Sequence, residues 1–343
     1  MVKGECGDID INKDKIKIEK LNEGNSSVSY KVQKDKNEWI FKFVPTDIFD
    51  KKFYIDDKPY DFTRSDECEY KTLKALEGLE YVGKACLYEK NIKLNNNKYK
   101  KKFKEIYNLI ESDDKLDKDN ATFNLLVLKY IDGVMLENYI IEYLNVIKTL
   151  DEAIDFFNTL YDKFFEMMKE IYKKLPCFFH GDLHLKNILI NKKEELKIID
   201  FGISCNFTKE NPMINHDLFK YQDIVVFSVF NTQNGDYEIT EDKLRILRCH
   251  DIFLFVNFTV YELLYRDLMK KENLKLIKNE LLKNIVKDLL NFSIEIEGKK
   301  IDIQTLFTDY NKIQLYEMVL FNFIRSTIYK RCMEVDFIQK VKL

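Results

Sequence analysis

The stretch from Phe178 to Ser204 constrains the fold more than any other part of the chain. Phe178-Phe179 leads into His180-Gly181-Asp182, and Asn187 follows five residues after that aspartate. Ile188-Leu189-Ile190 runs to a polar turn over residues 191–195, and Leu196-Lys197-Ile198-Ile199 returns to Asp200-Phe201-Gly202. Short apolar runs bounded by turns read as buried strands. They predict a strand pair whose ends gather Asp182, Asn187 and Asp200. Carboxylate and amide oxygens are the ligands Mg²⁺ prefers, usually beside substrate phosphates.

The flanking chain divides in character. Residues 16–21 alternate apolar and charged positions, residues 22–27 form a turn cluster around Gly24, and residues 28–32 resume the strand. Residues 39–44 form a third strand with Lys42 set between Phe41 and Phe43. A lysine on a buried strand face is costly unless paired. Residues 45–65 read as loop, and apolar positions 70, 73 and 76 predict a helix over residues 67–79, closed by Gly78 or Gly83. Residues 85–94 and 125–131 are further strands, separated by a polar insert whose lysine-rich half spans residues 90–104 and reads as solvated. Past residue 131 the pattern is helical: a continuous apolar stripe from 154 to 172 ends at Pro176, and helices are expected over 221–232, 241–290 with breaks, and 312–338. A period-two hairpin over residues 292–303 interrupts them.

Composition bounds the function. At 343 residues with 45% apolar content, core size is not limiting. A net charge of −3 argues against nucleic acid as a partner, and basic character rests on lysine, with six arginines. The seven cysteines are scattered without a C-x-x-C pair, so they read as reduced thiols. The N-terminus has no apolar signal region, and no apolar run is long enough for a membrane span. The expectation is a cytoplasmic protein (host cytoplasm, if the source is a virus) with no membrane partner.

Taken in order, Gly24, Lys42, Glu69, residues 128–133, His180 to Asn187 and Asp200 to Gly202 resemble the eukaryotic-like protein kinase superfamily over residues 14 to 230. The H-G-D-L-H-x-x-N-I-L form resembles haspin-type protein kinases and aminoglycoside and choline kinases. The resemblance implies an α+β bilobal kinase-like fold: an antiparallel-sheet N-lobe with one helix (14–131) and a mainly helical C-lobe (132–343). It implies ATP and Mg²⁺ as cofactors, and a protein or a small hydroxyl-bearing molecule as acceptor. Asp182 would be the catalytic base, and Asn187 and Asp200 the metal ligands. Lys42 would contact the α- and β-phosphates and pair with Glu69, or failing that Glu67. Gly24 would help cradle phosphate, Leu128 would be the gatekeeper, and the backbone around Tyr130 would meet adenine. His184, or with lower rank Lys186, would donate to the γ-phosphate, and His180 would support the loop. Gly181 stands where regulated protein kinases carry an arginine, which implies no activation-loop phosphate switch. Asp223, only 23 steps past Asp200, resembles the aspartate that braces the catalytic loop. That spacing implies a truncated segment, which together with H-G-D-L-H supports a small-molecule kinase as the alternative to a serine/threonine protein kinase. A nucleotide-binding pseudokinase scaffold is the third possibility.

Overall fold

The computed structural model describes residues 6, 15–23, 27–46, 53–55, 58–60, 64–93, 99, 103, 122–147, 149–206, 240–266, 269–296, 298–303, 305 and 310–339. Gly24, Asp223, the expected helix 221–232 and most of the lysine-rich insert lie outside them. The fold is α+β and kinase-like: an antiparallel sheet with one helix, followed by a mainly helical half.

Five strands form the first sheet: β1 (Lys17–Glu23), β2 (Val28–Lys34), β3 (Asn37–Pro45), β6 (Ala85–Lys93) and β7 (Thr122–Lys129), in the order β1-β2-β3-β7-β6. Period two sorts β3 by face. Trp39, Phe41 and Phe43 enter an apolar cluster with Val28, Tyr30, Val32 and Phe103, and Phe43 and Phe103 approach to 4.9 Å between ring centroids. Ile40 and Lys42 therefore share the other face, where Lys42 is in register with Ser29 and Leu126, and Ile40 with Leu128. Where the sequence reads as loop, a short hairpin pairs β4 (Phe53–Ile55) with β5 (Lys58–Tyr60). Helix α1 (Ser65–Ala75) packs against β6 and β7, and Gly78, at φ +92°, turns the chain out of it.

The connection after α1 ties the two halves. Ile198 N–H donates to Tyr81 O at 2.8 Å, and Val82 bridges Ile198 in parallel. Ile198 belongs to β11 (Leu196–Ile198), which pairs with β10 (Ile188–Asn191), and β10 pairs with β8 (Gly133–Met135).

The helical half is built on α3 (Leu150–Lys174), which follows α2 (Leu136–Val146). Thr149 and Glu152 close a capping box at its start, and its buried stripe includes Ile154, Phe157, Tyr161, Phe164, Met168 and Tyr172. Phe164 stacks on Phe255 of α4 (Glu241–Tyr265) with centroids 3.7 Å apart. Losing that ring to alanine costs about 3–5 kcal/mol. Helices α5 (Glu280–Leu290), α6 (Tyr310–Cys332) and α7 (Asp336–Gln339) complete the half. The hairpin of β13 (Ser293–Ile296) and β14 (Lys299–Asp302) lies between α5 and α6, turning through Gly298 at φ +73°. No helix among the described residues is long and apolar enough to cross a membrane.

One expectation about cysteine is corrected. Cys6 and Cys86 are joined in a disulfide with Cα atoms 5.2 Å apart, and the other five cysteines are buried free thiols. Cys86, second in β6, lies beside the aromatic cluster, and residue 6 folds back onto it, a juxtaposition that residues 80 apart in sequence do not announce.

Candidate active site

The site forms where β3, α1 and the ends of β9 (Phe178–Phe179), β10 and β11 meet, with β12 (Cys205–Asn206) paired to β9. Lys42 Nζ donates to Glu69 Oε2 at 2.7 Å and to Asp200 Oδ1 at 3.0 Å. The β3 face that receives Lys42 looks onto α1, where Glu69 is 2% exposed. Glu67 instead meets Lys71 and Lys90, at 3.1 and 2.6 Å. Burial opposes the charge on Lys42, but Asp200 and Glu69 outweigh it and hold the ammonium above its ordinary pKa. Lys42 holds Asp200 below the usual carboxylate range. Burial pushes Glu69 up and the nearby Asp200 charge adds to it, despite the Lys42 ammonium between them.

Asp182 lies at the end of β9. Asn187, in a 3₁₀ turn over Leu185–Asn187, donates through Nδ2 to Asp182 O at 2.8 Å and to Asp182 Oδ2 at 3.0 Å. With the amide nitrogen held by Asp182, the amide oxygen is the group Asn187 can offer a cation. Asp200 sits in the left-handed region at φ +56°, uncommon outside glycine, with its carboxylate about half exposed. A carboxylate and an amide oxygen beside a lysine fit Mg²⁺ with nucleotide phosphates. Phe201 is fully buried, 5.0 Å from the His180 ring and 6.1 Å from Phe178.

The two histidines differ. His180 Nδ1 accepts from Asp182 N–H at 3.3 Å, which leaves the proton on Nε2, 3.3 Å from Ile199 O. Burial lowers its pKa to about 4, so the ring is neutral and structural. His184 Nε2 lies 3.4 Å from Asp182 Oδ1, and this contact raises the His184 pKa. Burial would raise Asp182, but His184 prevails and its pKa is lowered. Lys186 points away to Glu137, 3.6 Å off.

At the hinge, the amides of Lys129 and Tyr130 donate to Lys84 O and Glu38 O, at 2.9 and 3.1 Å. Leu128 faces Ile40 across the β3–β7 pair, and the Tyr130 ring carries Lys31 Nζ 3.7 Å above its centroid.

The brace under the loop from His180 to Asn187 is not where the sequence suggests. Asp251, in the middle of α4 and fully buried, accepts from His180 N–H at 2.8 Å and from Gly181 N–H at 2.9 Å. Tyr172 Oη donates to it at 3.3 Å. Burial raises the Asp251 pKa to about 6, against those hydrogen bonds. The assignment of this brace to Asp223 is therefore corrected, and with it the reading of a segment truncated at residue 223. Arg248 also escaped notice: stacked 4.0 Å from the Tyr172 ring centroid, it donates to Pro176 O and Phe337 O. The available signal was the cluster of Arg248, His250 and Asp251 immediately before the apolar run over residues 252–256. Gly181 has φ +87°, and a Cβ there would sit 3.2 Å from Ile203 O, so the position favours glycine on backbone grounds as well.

No curated protein matches the chain. A family model described as the ABC1 atypical kinase-like domain matches residues 95–221, roughly a third of the chain. The match includes Asp182, Asn187 and Asp200; Lys42 and Glu69 precede it and join the site through the fold. Over residues 95–221 this chain is similar to an ABC1 atypical kinase-like domain, within the protein-kinase-like superfamily.

Proposed function

We propose that the protein is a Mg²⁺-ATP-dependent phosphotransferase that moves the γ-phosphate to a hydroxyl, with serine or threonine of a protein as the favoured acceptor. The observation that carries this reading is the assembled Lys42–Glu69–Asp200 triad beside the bonded Asp182–Asn187 pair. Residues 14–131 would hold the nucleotide, and residues 132–343 would supply the base and the acceptor side. Lys42 would neutralise the α- and β-phosphates, and Asp200 and Asn187 would hold Mg²⁺, which supplies charge neutralisation on the phosphates. Asp182 would accept the hydroxyl proton as the acceptor oxygen bonds to the γ-phosphorus and the bridging P–O bond to ADP breaks. His184 would donate to the transferred group. The Asp251 brace favours a protein acceptor, because it leaves a longer stretch of chain between Asp200 and α4 for acceptor docking than a brace at Asp223 would. Gly181 supports activity without an activation-loop phosphate, so phosphatase treatment should leave turnover unchanged.

A second reading, a small hydroxyl-bearing acceptor, is supported by His184 on Asp182 and by the likeness of that loop to aminoglycoside and choline kinases. One experiment separates them: labelled ATP and Mg²⁺ with the protein alone, with generic protein substrates, and with amino alcohols and aminoglycosides. Label on protein supports the first reading and label on a small molecule the second. Nucleotide binding with neither transfer nor hydrolysis overturns both in favour of a pseudokinase scaffold.

A further inference from the structure

Helix α1 carries a second carboxylate that no phosphotransfer role uses. Asp66, three residues before Glu69, is 1% exposed. A carboxylate sealed from water is costly unless several donors meet it. Three do. Arg64 Nε donates to Oδ1 at 3.1 Å; Tyr88 Oη and Asn124 Nδ2 donate to Oδ2 at 2.9 and 2.5 Å. The donors are themselves held: Arg64 donates to Pro45 O at 3.0 Å, and Asn124 Oδ1 accepts from Asn91 N–H at 2.9 Å. The network thus joins the first turn of α1 to the end of β3 and to both β6 and β7.

These attachments matter because of what the same elements carry. Lys42 is on β3, three residues before Pro45, and Glu69 is on α1, one turn after Asp66. A helix rises about 1.5 Å per residue, so the backbone positions of Asp66 and Glu69 lie about 4.5 Å apart along the axis of one rigid rod. On its far side the helix is held as well, by Thr72 Oγ1 at 3.1 Å from Ser204 Oγ, just past Asp200. We propose that Asp66 is a positioning residue: its buried network pins α1 to the sheet and so keeps Glu69 within reach of Lys42 before nucleotide arrives. The proposal rests on the phosphotransferase reading for its functional consequence, and on the network alone for the anchoring.

Two measurements on the full chain test it, with Asp66→Asn and the milder Tyr88→Phe, which removes one donor and keeps the carboxylate. Hydrogen exchange of the α1 amides should quicken in both variants while α3 and α4 stay protected; unchanged α1 protection overturns the anchoring. Titration with Mg²⁺-ATP should show affinity lower by about tenfold for Asp66→Asn and less for Tyr88→Phe. In a Glu69→Gln background the Asp66→Asn loss should vanish, since the pair it positions is already broken. Fully additive losses would mean that Asp66 acts elsewhere. A wild-type protein that binds no Mg²⁺-ATP would sink the phosphotransferase reading, and the exchange measurement would still decide whether Asp66 anchors the helix. Should Asp66→Asn fail to fold, Tyr88→Phe carries both readouts.

Discussion

Replacing Asp251 by asparagine should change how stability depends on pH by a calculable amount. In the folded protein this carboxyl is fully buried and its pKa lies at about 6, against an ordinary 3.8. Because the folded value is the higher one, Asp251 contributes stability that is whole below pH 3.8 and is lost as pH rises through about 6. Two units at about 1.4 kcal/mol each make that loss about 3 kcal/mol. Asparagine keeps the shape and one acceptor oxygen, but its NH₂ group confronts one of the amides of His180 and Gly181. That mismatch costs about 1–3 kcal/mol at every pH. The stability of Asp251→Asn relative to wild type should therefore improve by about 2.5 kcal/mol between pH 4 and pH 7, the rest of the change falling below pH 4. Taking the difference removes the opposite contribution of His180, whose pKa falls to about 4 and whose stabilisation is lost as pH drops. Urea unfolding of both proteins at half-unit pH steps gives the curve directly. A pH-independent difference would refute the reasoning, because it would mean that Asp251 is already solvated or fully compensated.

Three further outcomes follow from the geometry. Asp182→Ala should cut transfer by about 10²–10⁴-fold with nucleotide affinity little changed, and near-normal single-turnover rates would remove it as base. His184→Gln should lower kcat and abolish the fall in rate at alkaline pH that loss of the His184 proton imposes; an identical alkaline limb in both proteins would exclude the donor role. Cys86→Ser, or reduction of the wild type, should lower stability by up to about 4 kcal/mol, the closure entropy of a loop this long. Equal melting curves with and without reductant would show that the bridge contributes nothing.

What could be read from the chain alone was whatever is encoded locally. The strand pair around residues 188–198, the stripe of α3 and the hairpin of β13 and β14 all follow from periodicity and turn chemistry. A lysine between two phenylalanines on a strand demands a partner, which made the need legible at Lys42, and the kinase resemblance named Glu69 as that partner. The brace was not legible. Asp223 and Asp251 are each followed by isoleucine and a short apolar run, and only the packing of α4 beneath the His180–Asn187 loop singles out Asp251. Asp66 carries no local signal, because its partners Tyr88 and Asn124 arrive from distant strands. The disulfide was hidden for the same reason.

That disulfide also changes the connectivity of the molecule. Cys6 and Cys86 close a covalent ring that contains Lys42, Asp66 and Glu69 and leaves Asp182, Asn187 and Asp200 on the open chain beyond it. A single backbone break inside the ring, even one between Lys42 and Glu69, leaves both residues on one molecule. A break between residues 86 and 182 separates Lys42 and Glu69 from Asp182, Asn187 and Asp200 entirely. The oxidised chain is, in its connectivity, a lasso: a closed loop for one half of the site and a tail for the other.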